Sequence, residues 1–207
     1  MGARAVREST LRDEVLEATW ELIAEVGLSR VRIADIAERV GTSTGTIHYH
    51  FATKEDVLDA AFRYAVADSR RRSEEALTGL EDPWDRLVAL LDAHMPDRER
   101  RREWVIWLQL WNEAAVGTRL RQLNDEHYGR WLDLVEGIVR DGQASGAFRD
   151  IDSRAFVVRL LTMMDGLVIQ VTVGSSEVDL KLLRELLLGF AREQLLPGEA
   201  ACPTRAR

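Results

Sequence analysis

The stretch from Ile33 to Lys54 constrains the fold more than any other part of the chain. Ile33, Ile36, Ala37 and Val40 recur with helical spacing over about two turns. Gly41-Thr42-Ser43 interrupts the run, and Thr42 or Ser43 can cap a second short helix. The segment is too small and too polar to form a core by itself. A helix, a tight glycine turn and a helix rich in hydroxyls and rings make a helix-turn-helix pattern. The second helix of such a pair lies in the DNA major groove with its N-terminal residues at the base edges. From Arg39 to Lys54 there is no Asp or Glu, although the chain carries a net charge of -7. That gap reads as a surface kept clear for phosphates.

Ile36-Ala37, Gly41, Ser43, Gly45, Tyr49, Phe51 and Lys54-Glu55 together resemble the signature of TetR-type (tetracycline-repressor-like) transcriptional regulators. The likeness spans residues 10 to 60. The chain departs from the family pattern at His48, where Tyr is more frequent, and at Arg32, where a capping Ser or Thr is usual. The resemblance implies that Thr44, Gly45, Thr46, His48 and Tyr49 enter the groove. Thr42, Tyr49, His50, Lys54 and Arg32 are expected to hold phosphates, and Ser43 completes the DNA-binding set. Lys54 opens a helix that Thr53 and Asp56 are predicted to cap reciprocally. A cation is at the wrong end of the dipole there, but a phosphate would sit on both the helix end and the ammonium.

With 46% apolar residues and only 4 prolines, the 207-residue chain reads as all-α, with about nine helices. The single cysteine, Cys202, excludes a disulfide framework or a cysteine metal site. The N-terminus has no apolar signal core, and no apolar run is expected to reach spanning length, so a cytoplasmic protein without a membrane partner is expected. Residues 1–60 carry more acidic than basic groups, which predicts salt-sensitive, site-selective DNA binding rather than general stickiness.

The pattern divides the chain into a helix-turn-helix domain over 1–60, a helical effector-binding and dimerisation domain over 61–196, and a disordered tail over 197–207. A short arm (1–8, with Arg4 and Arg7) precedes a helix that Ser9 or Thr10 caps and that runs to Val26. The long fourth helix runs from Thr53 to about Leu77, with Arg70-Arg71-Arg72 as a solvated face. Further helices are expected at about 83–95, 99–115, 118–143, 152–172 and 178–195, broken at Pro96, Gly117, Gly142 to Gly146, and Gly174. Gly142-Gln-Ala-Ser-Gly-Ala-Phe-Arg149, Asp152 and Asp165-Gly-Leu167 resemble features of the BetI-type, choline-sensing branch of the same family.

The last two helices are apolar nearly all round and therefore need neighbours on every side. A two-fold dimer with a four-helix contact through Phe156, Leu160, Leu167, Val171, Leu183, Leu187 and Phe190 satisfies that need. Trp104, Trp107, Leu108, Trp111, His127, Tyr128, Trp131, Met164 and Asp165 are the candidates for an effector site. Rings and methionines at helical spacing are also what an ordinary core contains. Rings around an acid suit a cationic amine; neutral and acidic apolar effectors form the larger alternative class. No Glu-x-x-His pair, phosphate loop or nucleotide fingerprint is present, and no catalytic residue, metal site or cofactor is assigned. The expected function is a ligand-responsive repressor that binds a palindromic DNA operator as a homodimer. Its reading heads would lie about 34–36 Å apart. By the family resemblance, an effector moves the fourth helix and lowers DNA affinity. A helical small-molecule carrier or scaffold without DNA binding is the rival reading.

Overall fold

The computed structural model describes residues 3–97 and 100–197, with side chains from residue 10 onward except at residue 118. Its elements are α1 (Ala3–Val26), a 3-10 turn (Leu28–Arg30), α2 (Ile33–Arg39), α3 (Thr44–His50), α4 (Lys54–Leu77), α5 (Pro83–Asp92), α6 (Arg101–Val116), α7 (Thr118–Ala144), α8 (Ser153–Val173) and α9 (Leu180–Leu195). The chain is all-α as expected, with no strand among the described residues. Helix α1 begins at Ala3, so neither Ser9 nor Thr10 caps it and residues 3–8 are not an extended arm. The side chains of Arg4 and Arg7, Arg98, and residues 198–207 with Cys202 lie outside the described residues.

Acceptors one residue before each helix explain where several begin. Asp82 accepts from Trp84 N and Asp85 N at 2.9 and 3.0 Å, and Pro83 follows it at the first helical position, where its missing N–H costs nothing. Asp152 caps α8 by accepting from Ala155 N at 2.9 Å, and Asp179 caps α9 by accepting from Leu182 N at 2.7 Å.

Two compact units form: residues 1–72 with 98–127, and residues 73–97 with 128–207. This is not the linear division near residue 60, because α6 and the start of α7 join the N-terminal helices. In the first unit Val15, Ile23, Ile36, Ile47, Val57, Phe62, Ile106 and Leu110 are fully buried. In the second, Leu87, Leu90, Leu160, Leu161, Leu183 and Leu187 are.

Arg72 corrects the solvated reading of the arginine run. It pairs with Asp68 one turn back and with Glu103 of α6 at 2.5 Å, and its Nε is buried without a partner. Burial raises the Glu103 carboxyl above its usual range; Arg72 and a hydrogen bond from the Trp107 indole oppose the shift. Helix α8 also differs from expectation: with a mean hydropathy of 1.7 it is long and apolar enough to cross a membrane. Its inward residues, Phe156, Val157, Leu160, Leu161, Met164 and Val168, are buried core, while Val158 and Val173 are exposed.

Helices α8 and α9 pack on each other, with Phe156 and Phe190 stacked at 5.8 Å. Phe156, Leu160, Leu183 and Leu187 are buried inside their own protomer, at 3% exposure or less. These four cannot form the surface that a second copy covers. Leu167, Val171 and Phe190 stay partly exposed.

Candidate functional site

The turn between α2 and α3 is built by local hydrogen bonds. At the end of α2, Gly41 N donates to Glu38 O at 3.2 Å and Thr42 N donates to Ala37 O at 2.9 Å. This pair closes the helix end with Gly41 in the left-handed region, at φ 67°. Ser43 then caps α3, accepting from Thr46 N at 3.1 Å, and its hydroxyl lies 3.0 Å from that of Thr46. Arg39 forks onto Glu21 (3.1 Å) and Glu25 (2.7 Å), which ties α2 to α1.

Helix α3 has one anchor and one open side. Ile47 is fully buried, while Thr44, Gly45, His48 and Tyr49 are exposed, Tyr49 at 73%. Thr46 and His50 are half-buried, and the His50 ring lies 5.2 Å from Tyr49. Phe51 returns to the core beneath the Arg12 guanidinium, 5.4 Å from its ring. Thr53 and Asp56 cap α4 reciprocally: Asp56 N donates to Thr53 Oγ1 at 3.1 Å and Thr53 N donates to Asp56 Oδ2 at 3.0 Å. Lys54 Nζ donates to Ser29 O at 3.3 Å, so the ammonium is drawn to the end of the 3-10 turn. Arg32 stands exposed before α2 and makes no capping bond. All ten residues expected at DNA therefore lie on the first unit, on α3, its flanking turns, the start of α2 and the start of α4.

The nine effector candidates divide between the two units. Trp104, Trp107, Leu108, Trp111 and His127 belong to the first. There Trp107 is 6% exposed, stacks on His127 at 4.6 Å and meets Trp20 edge-on at 6.4 Å. Trp104 and Trp111 pack against the same core, and Trp111 Nε1 donates to Asn124 Oδ1 at 3.0 Å. Tyr128, Trp131, Met164 and Asp165 belong to the second. Met164 is buried and Trp131 lies 4.3 Å from His94. Tyr128 is hydrogen-bonded to Thr162 and feels the Asp165 charge. Burial alone pushes the Asp165 carboxyl up to about 7; among the described residues no hydrogen bond or cation lowers it. A part-buried acid without a partner is costly and calls for a compensating group. Sequence reasoning missed His94, which follows α5 and meets Trp131 of α7, and Thr162 of α8, which meets Tyr128 of α7; both contacts join segments far apart in the chain.

The family profile described as bacterial regulatory proteins, tetR family, matches residues 15–61, and that of the BetI-type transcriptional repressor C-terminal domain matches residues 83–196. The chain belongs to the TetR family. It is a DNA-binding transcriptional regulator of the BetI type and not an enzyme. The HTH-type transcriptional regulator BetI 1 of Chromohalobacter salexigens is 30% identical, over 94% of this chain and 95% of that protein. A putative transcriptional regulator from Saccharomonospora viridis, solved in complex with choline, shares 37% identity and a TM-score of 0.86, covering 91% of this chain and 99% of that one. FadR from Bacillus subtilis, solved in complex with stearoyl-CoA, shares the fold at 24% identity and a TM-score of 0.73, over 85% of this chain and 95% of that one. In this TetR-family chain α2 and α3 form the helix-turn-helix that the sequence pattern predicted.

Proposed function

We propose that the protein is a homodimeric repressor that binds a palindromic operator and is released by a small cationic amine of choline's kind. The observation that carries the DNA half is the division of α3: Ile47 holds the helix to the core while Thr44, Gly45, His48 and Tyr49 face outward with no acid among them. The hydroxyls and His48 address base edges; Lys54, Thr42, His50 and Arg32 hold phosphates. The unpaired Asp165 beside Tyr128 supports a cationic effector, since a cation offsets the carboxylate and aromatic faces attract it. The choline bound to the Saccharomonospora viridis relative supports the same class. The effector acts by binding the released conformation more tightly than the DNA-bound one.

Titration of choline into a complex with a duplex selected by the protein from a random pool tests the reading: DNA should be released. Stearoyl-CoA serves as the contrasting arm, and release by it alone would move the effector out of the cationic class. Lys54→Ala should weaken binding to all sequences alike and lower the salt slope of log K by about one. His48→Ala should instead change sequence preference, at about 1–3 kcal/mol for the affected base pair. Fluorescence anisotropy across salt and across single-base operator variants separates the two.

The dimer contact follows the open side of α8 and α9 rather than the buried leucines. Val158 is 41% exposed and Leu186 47%, and Thr162, Gly166 and Gly189 extend the same stripes. A carbon added at Gly166 or Gly189 would meet nothing within 4 Å. Each mid-helix glycine costs about 1 kcal/mol against alanine, a cost that close approach by a partner helix would explain. Leu186→Arg should produce a monomer in sedimentation, with operator affinity lower by roughly a hundred-fold or more as the second half-site is lost.

A further inference from the structure

The start of α7 holds Arg119, which is not among the ten residues expected at DNA. Helix α6 ends at Val116 and α7 begins at Thr118, so a single residue, Gly117, makes the corner. Gly117 N donates to Glu113 O at 2.8 Å, and a carbon added at Gly117 would lie 3.3 Å from that same oxygen. The corner is tight, and it fixes where Arg119, two residues on, leaves the helix. Arg119 forks across two carboxylates of α4. Its Nε donates to Asp59 Oδ2 at 2.6 Å and its Nη2 to Asp56 Oδ1 at 3.0 Å. Asp56 and Asp59, three residues apart, share one face of α4.

Asp56 has a second task. Its other oxygen accepts from Thr53 N at 3.0 Å, so one carboxylate is shared between the cap of α4 and the guanidinium of α7. Lys54 follows the capping residue directly. Between the α6–α7 corner and α4 lies a cleft of about 400 Å³, floored by Leu28, Leu58 and Leu120. Leu58 and Leu120 pack against the first unit's core, and the Arg119 ion pairs cross beside them to the first turns of α4.

We infer that Arg119 is a positioning residue for DNA binding: by bridging Asp56 and Asp59 it holds the capped first turn of α4, and Lys54 with it, at the place that α3 requires. The inference rests on the DNA reading but not on the effector or the dimer. Arg119 itself touches no phosphate. A guanidinium can reach two carboxylates at once because its donors are set in a rigid fork; an ammonium is a point charge and cannot replace it. The pairs are exposed, with side-chain exposures of 48% for Arg119 and 43% for Asp56, so they contribute little to stability. Their effect is on geometry.

The test uses full-length protein and the duplex that the unaltered protein itself selects from a random-sequence pool. Arg119→Ala and Arg119→Lys should both weaken binding, by roughly three- to thirty-fold. The melting temperature should barely move, and the salt slope should equal that of the parent. Asp59→Asn should weaken binding in the parent but add nothing on top of Arg119→Ala. Unchanged affinity in both variants overturns the inference. A salt slope lower by about one makes Arg119 a phosphate contact instead, and full affinity in Arg119→Lys makes the effect one of charge alone; either result also overturns it. If Arg119→Ala fails to fold, Arg119→Lys carries the decision. Loss of binding by Lys54→Ala with unchanged binding by both Arg119 variants leaves the DNA reading intact and removes only the clamp.

Discussion

Asp165→Asn should make the protein more stable and nearly blind to a cationic effector. The carboxyl titrates near 7 instead of 3.8 because burial disfavours its charge. The folded state therefore holds a proton that the unfolded state has already released. Between about pH 4 and pH 7 stability falls as pH rises, and above the folded value the whole penalty is present. A shift of this size corresponds to at most about 4 kcal/mol, less whatever water screens. Asparagine keeps the shape without the charge, so its advantage should be near zero at pH 4 and largest at about pH 8. Chemical denaturation of both proteins across that range measures it. A cation that needs the carboxylate competes with the proton. The parent's affinity for choline should therefore rise with pH up to about 7 and then level off. In Asp165→Asn it should be flat and weaker by about thirty-fold or more, the loss expected when one member of a shielded charge pair goes. Calorimetry that finds the same affinity in both would remove Asp165 from the effector site.

Gly142→Ala should be among the most destabilising single changes in the second unit. Phe148 is buried and lies directly over Gly142, and its N–H donates to Gly142 O at 2.9 Å. A β-carbon at Gly142 would sit 2.2 Å from the ring. The ring is a rigid plane, so either it leaves its site or the loop after α7 moves. Overpacking of this kind costs about 1–3 kcal/mol, and more where the backbone has to shift. Phe148→Ala opens a cavity and should cost about 3–5 kcal/mol by itself. Combined with Gly142→Ala it should cost clearly less than the sum, because the added methyl then has room. Thermal melts of the two single variants and the double variant give the coupling directly, and additive costs would mean that the two residues do not meet.

Much of the reading head was legible from residue order. The Ser43 cap, the Thr53–Asp56 pair and the glycine stop at Gly41 each join groups within a few residues. Such bonds depend on neighbours along the chain, and those are what a sequence records. The start of α1 was misplaced because Thr10 lies within a helix that begins before it; a residue able to cap does not compel a helix to start there. Arg72 was read as solvated because its partner Glu103 is 31 residues away. Arg119 gave no signal, for its carboxylates lie 60 and 63 residues off.

By itself, the order of residues determined the helical class, the α2–α3 reading pair with its caps, and the approximate limits of the later helices, since periodicity and turn chemistry are properties of short segments. Tertiary structure alone decided which side of each C-terminal helix turns inward. A helix that is apolar on every side prefers no face, so burial of Leu160, Leu183 and Leu187 and exposure of Val158 and Leu186 follow from the packing of α8 on α9 and not from their composition. It likewise decided that the Trp107 indole joins the first unit's core while the Asp165 carboxyl is left without a partner. Which rings and charges meet depends on segments far apart in the chain, and their meeting is settled only when the helices pack.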